Sequence, residues 1–314
     1  MKLNKIIAQG QKDVPEVIPT GIWRLDQMVG GLHVGHVFTV GARPAMGKTA
    51  FVASLIRNIG VFNKVPMAVL SLEHSEQSMA ERIWAAEFGW GRESLPCHQL
   101  NMETAVSVEQ RNAIAMLHSI GFEDPIQRKI EFKRMMNEAP IWIEHDFMLT
   151  MDEIVSRMER LKKTNNVKVI VIDSLDWIDS GVKNVEQTQA MLKLVQTADR
   201  LKVAVLLTSG LNREVEYHVG NRPTLSNLRG GFNTEILTST VMFIFRPEYY
   251  CIQEDEMGST EGKAVLIVAK NKLGAVGDVR VDFVGRSRFE DCQFPIPELH
   301  PQINEMNDEK DIPF

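Results

Sequence analysis

Cysteine is scarce in this chain: Cys97, Cys251 and Cys292 are the whole supply in 314 residues, and no two of them stand in a CxxC spacing. Neither a disulfide framework nor a cysteine zinc site is supported, and a reducing cytosol is the expected home. Long apolar runs are missing as well. No stretch approaches the ~18 apolar residues of a membrane span. The opening Met1-Lys-Leu-Asn-Lys-Ile-Ile also lacks the apolar core and cleavage site of a secretory signal. Membrane and secreted classes are therefore not expected. Nor is there an excess of positive charge, because 35 Lys and Arg face 41 Asp and Glu for a net charge of -6. That argues against a chain coated in cations, while a local basic channel for nucleic acid stays compatible with the total. Internal repeats and low-complexity runs are absent too. With 44% hydrophobic and 24% charged residues, the composition is that of an ordinary globular protein long enough for one large or two average domains.

What the chain does have is alternation. Short apolar, β-branched stretches at 37–40, 67–71, 141–144, 167–172, 203–207, 241–245, 264–269 and 279–283 are separated by segments with helical spacing. Most are apolar on both faces, as buried parallel strands are, so the pattern predicts an α/β fold with a mostly parallel sheet. Thr150 followed by Glu153 makes a capping box ahead of Met151, Ile154, Val155, Met158 and Leu161, which share one helical face. Met191, Leu194, Val195, Ala198 and Leu201 repeat that spacing. The last two strands flank 271–278, where Gly274 and Gly277 predict an antiparallel edge hairpin. Periodicity fails from about Pro295. The expected organisation is an N-terminal arm or linker stub over 1–18, one domain over 19–296 and an acidic tail over 297–314.

The strongest motif is Val37-Phe-Thr-Val-Gly-Ala-Arg-Pro-Ala-Met-Gly-Lys-Thr-Ala-Phe, a strand running through a Gly-Lys-Thr turn into a helix. It matches a P-loop in context as well as in letters, with the small residue Ala42 at the position that opens the pattern. The chemistry requires backbone N–H groups turned around a polyphosphate, a helix N-terminus beneath it, a lysine on the β/γ-phosphates and a hydroxyl on Mg²⁺. Ala42, Arg43, Pro44, Ala45, Met46, Gly47, Lys48, Thr49 and Ala50 are thus the candidate nucleotide-binding residues, Lys48 on the phosphates and Thr49 on the metal. Strand 167–172 leads into Asp173, the second candidate for the Mg²⁺ shell. Hydrolysis needs a group that orients water, and Glu73 follows strand 67–71 directly, with a helix-capping carboxylate as its alternative reading. ATP with Mg²⁺ is the implied cofactor.

These residues stand in order with Val17-Ile-Pro-Thr-Gly-Ile, Leu25-Asp26, Gly30-Gly-Leu, Ser71-Leu-Glu73, Val171-Ile-Asp173 and Leu211-Asn-Arg213. Arg222-Pro, Leu225-Ser-Asn-Leu-Arg229, Phe245-Arg246, Glu248-Tyr-Tyr and Ala269-Lys270 continue the series. Over about residues 17–285 the chain resembles the DnaB family of replicative helicases in these ordered motifs. The resemblance implies a RecA-like motor: a hexameric ring ATPase that moves on single-stranded DNA in the cytoplasm of a bacterial host, with nucleotide between subunits and a helicase loader as partner. It implies Glu73 as the catalytic carboxylate and Lys270 and Lys272 as cations for the neighbour's nucleotide. Arg229, Gly230, Gly231 and Asn233, with Lys183, become the DNA contacts. Plain hairpin lysines and a plain glycine-rich connection are the alternatives for these two groups.

Departures accompany the match. The expectation is a motor without the family's N-terminal helical domain and without most of its linker helix, and that brevity points to a phage or mobile element. Where the family carries a γ-phosphate-sensing Gln, this chain reads Thr208-Ser-Gly210. The family's arginine finger aligns with Lys272, which lacks the planar fork of a guanidinium. The acidic residue after the loop arginine is replaced in Arg229-Gly-Gly-Phe-Asn233. Gly210 and Lys272 favour a second reading, a RecA-like ATPase kept as a nucleotide-gated scaffold, loader or decoy of the replisome without unwinding. The complete set of Lys48, Thr49, Glu73 and Asp173 favours the motor.

Outside the motor, Asn307-Asp-Glu-Lys-Asp-Ile-Pro-Phe314 resembles the acidic tip of bacterial single-stranded-DNA-binding proteins. Asp311, Ile312, Pro313 and Phe314 would offer an aromatic plug beside a carboxylate to proteins that bind that tip, and a frayed polar end is the alternative. His74 and the Cys97-His98 pair lack metal-ligand partners at usable spacing and read as structural. Trp177, Tyr249 and Tyr250 read as packed aromatics rather than base-stacking ones.

Overall fold

The computed structural model describes residues 16–88, 125–178, 184–229 and 231–292. A nine-stranded sheet organises them. Its strands are β1 (Val37–Ala42), β2 (Met67–Ser71), β3 (Ile141–His145), β4 (Val169–Asp173), β5 (Ala204–Gly210), β6 (Thr240–Phe245), β7 (Lys263–Asn271), β8 (Gly277–Val284) and β9 (Arg288–Asp291). Across the sheet they run β9-β8-β7-β6-β1-β5-β4-β2-β3. From β3 to β6 every pairing is parallel, and β7, β8 and β9 add an antiparallel meander. The α/β, mostly parallel expectation is met. The expected hairpin forms as β7 and β8, yet β9 pairs outside it and takes the edge. Val17–Ile18 pairs separately with Leu32–His33.

The helices are α1 (Trp23–Val29), α2 (Lys48–Leu55), α3 (Glu76–Phe88), α4 (Pro125–Glu138), α5 (Met151–Asn165), α6 (Asn184–Leu201) and α7 (Gly231–Leu237), with α2 running on as a π-helical segment, Ile56–Phe62. Strand alternation sends Val69, Val171 and Leu206 into one core with α2 and α3. It sends Leu70, Ile170, Ile172, Val205 and Leu207 into a second core with α5 and α6. Covered on both faces, the inner parallel strands are almost wholly apolar, which is why they read so clearly in the sequence, whereas the edge strand β3 is half-buried and ends in Glu144-His145. The capping box of α5 is present: Thr150 Oγ1 accepts the Glu153 N–H at 3.3 Å, and Glu153 Oε2 accepts the Thr150 N–H at 2.8 Å. Register then fixes the site. Ala42 lies opposite Gly210, and Ser71 lies opposite Asp173, so the carboxyl ends of β1, β2, β4 and β5 open on one edge. That is where α/β sheets bind ligands.

Candidate nucleotide-binding site

β1 leads through residues 43–47 into α2, whose first residue is Lys48. Gly47 adopts φ 96°, and a Cβ there would lie 3.0 Å from the Phe289 ring, so both conformation and space call for glycine. Around this loop is a cleft of about 1290 Å³ lined by Ala42, Arg43, Pro44, Ala45, Gly47, Lys48, Thr49, Ala50 and Glu73, among others. Met46 differs from the other loop residues. Its side chain is buried in the core, its N–H donates to Arg43 O at 3.2 Å, and it does not line the cleft, so a phosphate contact from its side chain is excluded.

Asp173 is fully buried at the end of β4. Its Oδ1 accepts the Thr208 hydroxyl at 2.5 Å, while Oδ2 has no hydrogen-bond partner. An orphaned carboxylate oxygen in a buried place is costly unless a cation or its water shell uses it. No cage of three or more His, Cys, Asp or Glu exists among the described residues. A hard cation that takes most of its ligands from phosphate and water suits such a donor set, with Thr49 and Asp173 as the protein's share. The residues present therefore fit Mg²⁺ carried on a nucleotide. Glu73 is exposed and faces the same cleft. His74, expected to be structural, also lines it, with Nε2 3.4 Å from Thr49 Oγ1.

The sequence signals missed Asp176, and they gave Arg246 a place in the motif series without a role at the site. Asp176 sits in a 3-10 turn after β4, and its Oδ2 is 3.3 Å from Lys48 Nζ. The only hint was its place three residues beyond Asp173 at the mouth of a P-loop fold. Arg246 donates to Ala45 O at 3.1 Å, pairs with Glu248 and lies 4.4 Å over the Phe283 ring. Burial pushes the Glu248 carboxyl upward, and hydrogen bonds from Arg246 and the Gly262 N–H outweigh it and hold the group below its ordinary value. Arg43 ties the other side of the loop to Leu211 O, at 3.3 Å, and to Glu216. The loop is thus held from both flanks.

The family model for the DnaB-like helicase C-terminal domain matches residues 17–291. The chain belongs to the DnaB-like helicase C-terminal domain family. The replicative DNA helicase DnaB of Leifsonia xyli subsp. xyli is 31% identical over 282 residues, which cover 87% of this chain and 56% of that protein. DnaB of Geobacillus stearothermophilus is 28% identical over 291 residues, 88% of this chain and 59% of that one. The chain therefore spans little more than half the length of these relatives. The solved structure of a DnaB-like replicative helicase superposes with a TM-score of 0.72 at 22% identity, over 93% of this chain and 67% of the other, which shows the fold.

In this DnaB-like domain Lys270 and Lys272 lie away from the chain's own cleft. Lys270 is opposite Val241 at the start of β6, the end of the sheet remote from Lys48. Its ammonium donates to Thr238 O at 3.0 Å and Ile236 O at 3.2 Å, and Lys272 donates to Ile236 O at 2.9 Å. Both cap the C-terminus of α7. Burial, then the neighbouring Lys272 charge, holds the Lys270 ammonium below its ordinary pKa. Arg229 is half exposed, lines the cleft, and reaches 3.5 Å from Asp176 Oδ1. Gly231 opens α7, to which the backbone of Asn233 belongs. The Asn233 side chain, Lys183, Gly230, Cys97, His98 and the tail residues Asp311, Ile312, Pro313 and Phe314 lie outside the described residues. Of the aromatics, Tyr250 stacks on Phe245 with centroids 5.8 Å apart, as expected, whereas Trp177 and Tyr249 stand exposed on the cleft wall. Tyr249 packs edge-on against Tyr250, with centroids 5.4 Å apart, and its outer face stays open.

Proposed function

We propose that the chain is an ATP-driven DNA helicase motor that works as a ring, with single-stranded DNA as its track. One observation carries this reading: a P-loop with Lys48 and Thr49 shares a strand edge with the buried Asp173, whose Oδ2 lacks a protein partner, and with the exposed Glu73. Lys48 would hold the β/γ-phosphates, Thr49 and Asp173 the Mg²⁺ shell, and Glu73 the attacking water. Bound ATP with Mg²⁺ supplies the phosphoanhydride whose hydrolysis releases the energy for movement. Arg246 and Arg43 keep the loop in place from either flank. Arg229, exposed at the rim, would contact DNA phosphates irrespective of sequence. Lys270 and Lys272 would face a neighbouring subunit's nucleotide, so that hydrolysis depends on assembly.

The engagement of both lysines with the α7 carbonyls favours a second reading, a nucleotide-gated scaffold of the replisome that does not unwind. DNA-stimulated ATP turnover and fork unwinding, measured on one preparation, separate the two. Turnover with unwinding supports the motor, and turnover without unwinding supports the scaffold. ATP turnover undiminished by Lys48→Ala would sink both.

A further inference from the structure

We infer that Asp176 is a positioning residue that couples the phosphate site to the Arg229 segment by giving up Lys48 to the terminal phosphate of the nucleotide. This rests on the nucleotide reading of the cleft. The Asp176 carboxylate is shared among four groups. Oδ2 is 3.3 Å from Lys48 Nζ, accepts the Gly210 N–H at 2.8 Å and lies 3.3 Å from the Ser174 hydroxyl. Oδ1 is 3.5 Å from the Arg229 guanidinium.

A backbone path runs parallel to this side-chain one. The Arg229 N–H donates to Gly210 O at 3.1 Å, and Leu211 forms an antiparallel bridge with Leu228. Gly210 is therefore bonded to Asp176 through its N–H and to Arg229 through its carbonyl. Its missing side chain matters, because a Cβ at this position would lie 2.7 Å from Asp176 Oδ2. The carboxylate occupies the space that any larger residue would need.

The electrostatics supply the switch. Lys48 carries a single positive charge, and a phosphate brought against it competes directly with Asp176 and repels it. The Asp176 side chain is only 15% exposed, so solvent screens the contest weakly. Of the carboxylate's other partners, Gly210 and Arg229 belong to the hydrogen-bonded 210–229 unit. A carboxylate displaced from Lys48 stays attached to that unit, and its shift is felt at Arg229. A ligand biases such an element by its differential affinity for the two arrangements, and the coupling is reciprocal.

The test is a pair of affinity ratios on the full chain. Binding of a labelled oligo(dT) is measured with and without a non-hydrolysable ATP analogue, and binding of the analogue with and without oligo(dT). In the wild-type protein the analogue should change oligo(dT) affinity, and oligo(dT) should change analogue affinity by the same factor. In Asp176→Asn both ratios should fall to about one, while the analogue alone binds about two- to fivefold tighter, the size of a partly exposed charge pair. Gly210→Ala, which crowds the carboxylate without altering its charge, should lose the ratios as well and stands in if Asp176→Asn fails to fold. Ratios of one in the wild type, or wild-type ratios kept in either folded variant, overturn the coupling. If the wild type does not bind the analogue, or Lys48→Ala binds it equally well, the nucleotide reading itself has failed.

Discussion

The two carboxylate oxygens of Asp291, on the last described strand, accept the backbone N–H groups of Trp23 at 2.6 Å and Arg24 at 3.0 Å. The residue before α1, Ile22, is extended and offers no capping side chain, so the first helix is capped by β9 from 268 residues away. A carboxylate suits that place, since it satisfies two otherwise orphaned donors and complements the positive end of the helix. Asp291→Ala should cost about 1 kcal/mol of stability. Urea denaturation would show it, with Asp291→Asn recovering part of the loss. Nucleotide affinity should not change, because the cap lies outside the cleft. An Asp291→Ala protein as stable as wild type would contradict the capping role.

Glu73→Gln should retain ATP binding and lose turnover by roughly 10²–10⁴-fold, as expected when a positioned base is removed. The side chain is exposed in the cleft, so the substitution disturbs little packing. Single-turnover hydrolysis alongside equilibrium ATP binding checks both halves. Turnover close to wild type would transfer the role to another residue of the cleft wall.

The parallel half of the sheet was legible because burial on both faces leaves a strand such as Val169–Asp173 no choice but apolar residues until its functional end. The P-loop was legible because its chemistry is contiguous in sequence. β9 was not: Arg288, Glu290 and Asp291 surround a single buried anchor, Phe289, which packs against Phe51 and Phe283. Asp176 escaped for a different reason. Its meaning arises only where Lys48, Gly210 and Arg229 converge, and those come from two other parts of the chain, the start of α2 and the 210–229 unit. For Lys270 and Lys272, the family resemblance implied cations for a neighbour's nucleotide, but only the sheet shows that they cap α7 at the far end from Lys48.

Thr208 is the sole hydrogen-bond donor found for the Asp173 side chain among the described residues, and both residues are completely buried. Thr208→Val keeps the shape and removes the hydroxyl. Hydrogen bonds to charged groups contribute about 1.5–3 kcal/mol, so a stability loss of that order is expected. The freed carboxylate also loses the contact that orients it, and turnover should then require more Mg²⁺ than wild type. Thr208→Ser should restore both properties. An unchanged Mg²⁺ dependence in a folded Thr208→Val protein would separate Asp173 from the metal shell.

Lys270 and Lys272 have two roles that measurements can divide. As helix caps they neutralise the exposed carbonyls and negative end of α7, an effect of about 0.3–1 kcal/mol each. Lys270 is half-buried and bonds the carbonyls of Glu235, Ile236 and Thr238, whereas Lys272 is exposed and bonds that of Ile236 alone. Lys270→Met should therefore act mainly on stability. Lys272→Met should cost stability only the low end of that range, about 0.3 kcal/mol, and leave ATP affinity near wild type, because one exposed bond is lost and the chain's own cleft is remote. If its ammonium serves a neighbouring subunit, DNA-stimulated turnover should nevertheless fall severalfold, and mixing the variant into wild-type protein should lower turnover more steeply than dilution does. A Lys272→Met protein with wild-type stimulated turnover at every mixing ratio would leave the residue as a helix cap and remove it from catalysis.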